Sequence, residues 1–134
     1  MVSVLRPFAP AVVAVGARAP LGLSALQLAM CARARRLVPT TTLVSDKRGH
    51  YIGAHRDSTA DLIPGSDIVT LSLGAARVFR LRPYRGQGFV DVPLPGGAVL
   101  LLPWAVNQRF THEVPAPRGA TGRRLSITLR AFQR

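Results

Sequence analysis

Three residues of this sequence could together form a metal centre: His55 and Asp57 in GAHRDST (53–59), and His112 in RFTHEVP (109–115). An H-x-D pair taken alone can be an accident, a surface hydrogen bond or two thirds of an iron site. In a strand, residues i and i+2 share a face, so an imidazole and a carboxylate at that spacing can reach the same ion. The second imidazole, far along the chain, must arrive on a distant strand that passes the same point. Two imidazoles and one carboxylate on one face of a metal make the facial triad of non-haem Fe(II) oxygenases, which leaves coordination positions open for a cosubstrate and O2.

A second group of residues suits an anion. RLSITLRAF (124–132) alternates, with Leu125, Ile127 and Leu129 on one face and Arg124, Ser126, Thr128 and Arg130 on the other. The plain reading of the polar face is a solvent face. Inside a jelly roll the same face would aim two guanidiniums into the cavity, where they need anionic partners. The two carboxylates of a dicarboxylate match two arginines through two-point hydrogen bonding.

Positioning these groups takes a β scaffold. TTTLVS (40–45), DIVTLSLG (67–74), ARVFRLRP (76–83), GFVDVPL (88–94), GAVLLLPW (97–104), RFTHEVP (109–115) and the last segment read as short strands, punctuated by Gly and Pro turns such as PGG. Before them, PLGLSALQLAMCARARR (20–36) reads as a helix. Ser24 is its candidate cap, Leu26, Leu28, Ala29 and Ala32 form its apolar face, and its arginines lie at the negative end of the dipole. One helix followed by six or seven strands predicts a mainly β domain, a β-sandwich or a double-sheet jelly roll. Trp104 and Phe110 read as core aromatics and Cys31 as a buried helix residue.

The composition narrows the partners. A chain of 134 residues with 48% hydrophobic residues can bury one core and is not a disordered segment. No apolar run approaches the roughly 18 to 20 residues of a membrane span. The lone Cys31 excludes an internal disulfide and favours a reducing compartment, so a cytoplasmic or nuclear location is expected. The acid-free N-terminus and APAVVAVGARAP (9–20) resemble a targeting segment, which the helix after it disfavours. The net charge is +12, carried almost entirely by Arg, with Lys47 the single Lys. GC-rich codon usage accounts for Arg over Lys but not for the shortage of acid, so the charge points to a polyanion, nucleic acid first. Arg48, Arg56, Arg82 and Arg85 are the candidate backbone contacts, with Arg77, Arg80 and Arg118 beside them.

With these motifs in order, the sequence resembles the AlkB family of Fe(II)/2-oxoglutarate dioxygenases, in particular its duplex-DNA-repair branch. YIGAHRDST is similar to that branch's I-G-x-H-R-D stretch. IVTLSLGAARVFRLR is similar to its S-x-G-A-x-R-x-F strand pair. PGGAVLLLPWAVNQRFTHEVP resembles the segment that runs through an Asn into the second metal His, and RRLSITLRAF resembles the R-x-N-x-T-F-R strand. The resemblance covers about residues 40–132 and implies a single domain, 1–134, with residues 1–19 a short or incomplete N-terminus. It implies a double-stranded β-helix (jelly roll) with an N-terminal helix packed on it. His55, Asp57 and His112 would ligate Fe(II). Arg130 and Arg124 would hold the near and far carboxylates of 2-oxoglutarate, with Ser126 beside them in place of the family's Asn. The implied reaction consumes O2 and removes methyl groups from alkylated bases. The partner would be nucleic acid, DNA before RNA, met by a monomer away from any membrane. Leu43 and Ser45 stand where the family has N-x-Y, whose Tyr helps bind 2-oxoglutarate, and Tyr51 and Tyr84 are the possible substitutes. Ser58 and Thr59 replace acidic residues that often follow H-R-D. Two rival readings follow from these departures: a 2-oxoglutarate dioxygenase acting on a protein or small molecule, and a non-catalytic basic jelly roll that binds nucleic acid.

Overall fold

A computed structural model describes residues 2–4, 13–15, 37–44, 50–118 and 122–133. The helix expected over 20–36, Cys31, Lys47 and Arg48 lie outside these residues. Antiparallel strands dominate. They are β1 (Val2–Val4), β2 (Val13–Val15), β3 (Leu37–Val44), β4 (Ile52–His55), β5 (Ile68–Gly74), β6 (Arg77–Pro83), β7 (Val90–Leu94), β8 (Ala98–Leu102), β9 (Phe110–Val114) and β10 (Arg124–Ala131), with a short helix α1 (Trp104–Arg109) between β8 and β9. Six strands form one sheet in the order β1-β2-β8-β5-β10-β3, and four form a second in the order β4-β9-β6-β7.

The two sheets share one core. Ile68, Ala98, Leu100 and Leu102 from the larger sheet meet Phe79, Leu81, Val92, Leu94 and Val114 from the smaller, and Val106 of α1 joins them. Alternation along β6 and β8 explains this, since every second residue of each strand is buried. Phe110 packs on the edge of this core, as its aromatic character predicts.

β10 inverts the usual arrangement. Its polar face is the inward one: Arg124 and Ser126 are buried, while Leu125, Ile127 and Leu129 are only partly covered. The solvent-face reading of that strand is therefore wrong and the jelly-roll reading holds. β5 matches it from the neighbouring position, with Ser72 opposite Ser126 and Thr70 opposite Thr128, the two Thr hydroxyls lying 3.2 Å apart. One part of the interior is thus lined with hydroxyls and guanidiniums, and the rest is hydrocarbon.

One local expectation changes. The strand expected to reach Trp104 stops at Leu102, because Pro103 has no N–H for a ladder and its φ of −60° opens α1 instead. The H-x-D pair does not lie wholly in a strand: β4 ends at His55 and Asp57 follows in irregular chain.

Candidate metal and cosubstrate site

The β4–β9 pairing sets His55 directly opposite His112. Their ring centroids are 4.3 Å apart with the planes at 61°. Asp57 Oδ1 lies 3.4 Å from His55 Nε2 and 3.8 Å from His112 Nε2. All three donor atoms fall within 4.8 Å of one another, close enough for a single cation to touch each.

The neighbours select which atoms face that point. His55 Nδ1 is 2.8 Å from the Gly53 carbonyl, so Nδ1–H donates and the Nε2 lone pair is free. His112 is only 7% exposed and lies 5.3 Å from Phe79 in a stacked arrangement. Burial, then the nearby His55, pushes its pKa from 6.5 down to about 4, so the ring is a neutral ligand at physiological pH. Burial alone would raise the Asp57 carboxyl, but the hydrogen bond and charge of Arg130, with the two imidazoles, hold it below its ordinary value. Arg130 Nε and Nη2 both lie 2.7 Å from Asp57 Oδ2, which leaves Oδ1 turned toward the imidazoles. Beyond the side chain, the Asn107 carboxamide holds the backbone of Asp57 through two hydrogen bonds, a contact that the sequence reading left without a role.

A cavity of about 170 Å³ opens beside the triad, bounded by the inward polar face of β10 and by Thr70, Phe79 and Leu100. Arg124 lies at one side, 3% exposed, with Nε donating to Ser72 Oγ at 3.1 Å. Its Nη1 has no hydrogen-bond partner. Burial, and then Arg77, lowers its pKa. A buried guanidinium nitrogen without an acceptor asks for an anion, and a carboxylate is the matching shape. The donor set suits Fe(II), and Arg124 with Arg130 suits the two ends of a dicarboxylate such as 2-oxoglutarate. Ser126, 4% exposed, lines the same cavity. Tyr51 and Tyr84 do not line it and are 68% and 44% exposed, so neither replaces the tyrosine absent near Ser45; Thr70 and Thr128 supply hydroxyls there instead.

Of the candidate backbone contacts, Arg56 and Arg85 converge on the face of Tyr84, at 3.9 and 5.2 Å from its ring centroid. Arg56, which falls between His55 and Asp57 in the sequence, also donates to the Gln108 carbonyl at 3.1 Å. Arg82 donates to Glu113 at 3.0 Å and lies over Phe89, and Arg80 pairs with Asp91 at 2.6 Å, so part of their charge is met within the chain. Arg77 is not a surface contact. It is buried, and its Nη2 ties the His50 and Pro115 carbonyls together at 2.9 and 2.8 Å.

Comparison with known proteins gives the family and the fold. A profile of the 2OG-Fe(II) oxygenase superfamily matches residues 19–130. The human DNA oxidative demethylase ALKBH2 is 34% identical over 88 residues, a match that covers 60% of this chain and 34% of that protein. The mouse protein of the same name is 33% identical over 88 residues, covering 60% of this chain and 37% of its own length. The chain therefore spans about a third of these relatives. Among solved structures, OsALKBH1 superposes with a TM-score of 0.56 at 20% identity, covering 70% of this chain and 47% of that one. A Pseudomonas putida prolyl-4-hydroxylase superposes with a TM-score of 0.51 at 18% identity, covering 84% and 65%. At those identities the superpositions speak to the jelly-roll fold alone.

Proposed function

This chain belongs to the 2OG-Fe(II) oxygenase superfamily, and on that footing we propose that it is an oxidative demethylase of alkylated bases in nucleic acid, with DNA the first candidate. The observation that carries the reading is the joint one: a His55–Asp57–His112 donor cluster and a buried Arg124 nitrogen without a partner open onto the same cavity. His55 Nε2, Asp57 Oδ1 and His112 Nε2 would hold the iron. Arg130 and Arg124 would bind the two carboxylates of 2-oxoglutarate, with Ser126 alongside. Bound there, Fe(II) with O2 and 2-oxoglutarate would supply the oxidation of an N-methyl carbon, which leaves as formaldehyde while 2-oxoglutarate becomes succinate and CO2.

The chain's own contribution is orientation and exclusion of water. Phe79 and Leu100 dry the cavity wall, and Arg130 holds Asp57 so that one oxygen stays free. A base inside a duplex must leave the stack to reach the triad, and a lesion that already weakens pairing lowers that cost. Arg56 falls between His55 and Asp57 and meets Arg85 over the ring of Tyr84, a cluster suited to grip the backbone of such a strand. The net charge of +12 and the similarity to a human DNA oxidative demethylase favour DNA over a protein or small molecule. A DNA substrate places the protein with DNA, in nucleus or cytoplasm.

The test is anaerobically purified protein supplied with Fe(II), 2-oxoglutarate, ascorbate and air, given oligonucleotides with 1-methyladenine or 3-methylcytosine in single and double strands. Mass spectrometry should show loss of about 14 Da, one methyl replaced by hydrogen, with succinate formed in step and both lost in Asp57→Ala. Succinate without methyl loss would move the substrate to a protein or small molecule. Neither product from folded protein would leave a nucleic-acid-binding jelly roll.

A further inference from the structure

We infer that Asn107 is a positioning residue for the metal centre: its carboxamide stands in for the strand partner that Asp57 lacks and thereby aims the carboxylate. This rests on reading His55, Asp57 and His112 as the metal ligands.

The need for such a device follows from where β4 stops. His55 pairs with His112, and continuing that antiparallel register would set Asp57 opposite Phe110. The ladder does not reach that pair, and β4 ends at His55. A residue two places past the end of a strand has no ladder to fix its φ and ψ, and the direction of its side chain follows the backbone. An unsupported Asp57 would swing its carboxylate through several positions, of which few place Oδ1 between the two imidazoles.

Asn107 removes that freedom. The Asp57 N–H donates to Asn107 Oδ1 at 3.0 Å, and Asn107 Nδ2 donates to the Asp57 carbonyl at 3.1 Å. This exchange of one N–H and one C=O is what a directly opposed residue provides in an antiparallel pair. Only a carboxamide side chain offers a donor and an acceptor in one plane at that spacing. Asn107 is 2% exposed, so water does not compete for either bond.

The position of Asn107 gives the contact its consequence. It lies in α1, which runs directly into β9, the strand that carries His112. The start of α1 is held separately, by Trp104 N–H donating to Asp67 Oδ1 at 3.1 Å. Asp57 is thus anchored through its backbone to the segment that bears another ligand, and through Oδ2 to Arg130 of the opposite sheet. With both ends fixed, Oδ1 is left facing the imidazoles.

The experiment is Mn(II) binding by titration calorimetry on the whole chain, without any turnover, for the native protein and for Asn107→Leu, Asn107→Asp, Asp67→Ala and Asp57→Ala. Asn107→Leu keeps the branched outline of the side chain and removes both hydrogen bonds, and should weaken Mn(II) about 10- to 100-fold, the usual effect of losing an outer contact of a metal ligand. Asn107→Asp, assayed at a pH where the new carboxyl is ionised, keeps the acceptor, loses the donor and adds a negative charge. Charge alone would tighten cation binding, whereas the positioning role requires it to weaken. Asp67→Ala loosens α1 without touching Asp57 and should leave Mn(II) affinity within about twofold, a change too small to count as lost ligand contact. Native affinity in folded Asn107→Leu, tighter or equal binding in Asn107→Asp, or an equal loss in Asp67→Ala would overturn the inference; should Asn107→Leu not fold, Asn107→Asp decides alone. If Asp57→Ala also binds Mn(II) as the native protein does, the ligand assignment itself falls. If Asp57→Ala alone loses binding, the ligands stand and the positioning role is wrong.

Discussion

Arg124 holds its charge inside the cavity with Arg77 as its charged neighbour and no carboxylate facing it among the described residues. Such a group costs stability until an anion arrives. Arg124→Met should therefore raise the melting temperature of the cosubstrate-free protein while weakening 2-oxoglutarate about 10- to 100-fold, the loss of roughly one charge-assisted pair. Thermal melts and a 2-oxoglutarate titration read these opposite signs. Arg124→Lys keeps the charge without the planar fork and should recover only part of the affinity. His112 sets a pH window in the same way. Burial and His55 lower its pKa from 6.5 to about 4 in the folded protein. Between those values the unfolded chain binds more protons, so this residue's contribution is complete above pH 6.5 and is lost as pH falls toward 4. The loss is on the order of 3 kcal/mol. Asp57, held below its ordinary 3.8, adds a further loss at still lower pH. Urea melts of metal-free protein at pH 7.5 and 5 should show the decline, and His112→Gln should flatten it. An equal decline in the variant would mean that His112 is not the group responsible.

At the scale of elements, the turn after β5 controls where Arg124 sits. Gly74 has φ of 80°, and a Cβ there would run into the backbone carbonyl of Arg123. Ala75 N–H donates to that same carbonyl at 2.8 Å, which fixes the start of β10. Gly74→Ala should cost about 2 kcal/mol or more and weaken 2-oxoglutarate as well, because Arg124 is the next residue. Gly65 has a similar φ of 77° with open space around it, so Gly65→Ala should cost only about 1 kcal/mol and spare the cosubstrate. Chemical melts beside cosubstrate titrations separate the two. The strands β3 and β5 to β10 were legible because Leu, Val and Ile alternate with polar residues between Gly and Pro, whereas β1, β2 and β4, three or four residues each, are too short to show a period. The inward polar face of β10 was legible only as one of two options, since alternation shows that two faces differ and not which one is buried. α1 was not legible: six residues hold too few turns for a helical period, and only Pro103 hinted at it. The three residues that converge here were visible in the sequence as a candidate triad, with Asp57 at a strand or strand end, but nothing showed what holds it there. Its true support, Asn107, is a single amide with no pattern of its own.

Across the whole molecule the surplus of arginine is reduced where acids are near. Arg80 with Asp91, Arg82 with Glu113 and Arg130 with Asp57 take up three of the six acidic residues. Those arginines are less free to meet phosphate than Arg56, whose guanidinium contacts only a carbonyl and the Tyr84 ring among the described residues. Affinity for an unmodified duplex should fall with salt on a log–log slope of roughly −4 to −5, the signature of about five neutralised phosphates. Arg56→Ala should make that slope shallower by about 1, and Arg80→Ala should leave it unchanged. Fluorescence anisotropy at several salt concentrations tests both. The small sheet adds a consequence of a different kind. β4 is its outermost strand, four residues long, bound on one side to β9. An outer strand exposes a row of open backbone groups that another copy of the chain can pair with. His55 on β4 faces His112 on β9, so a cation held between them is also a rivet across the seam. Chelation should let this strand peel first, with faster deuterium uptake at 52–55 and rising light scattering before the core melts. Iron supply would then govern the solubility of the protein as well as its turnover.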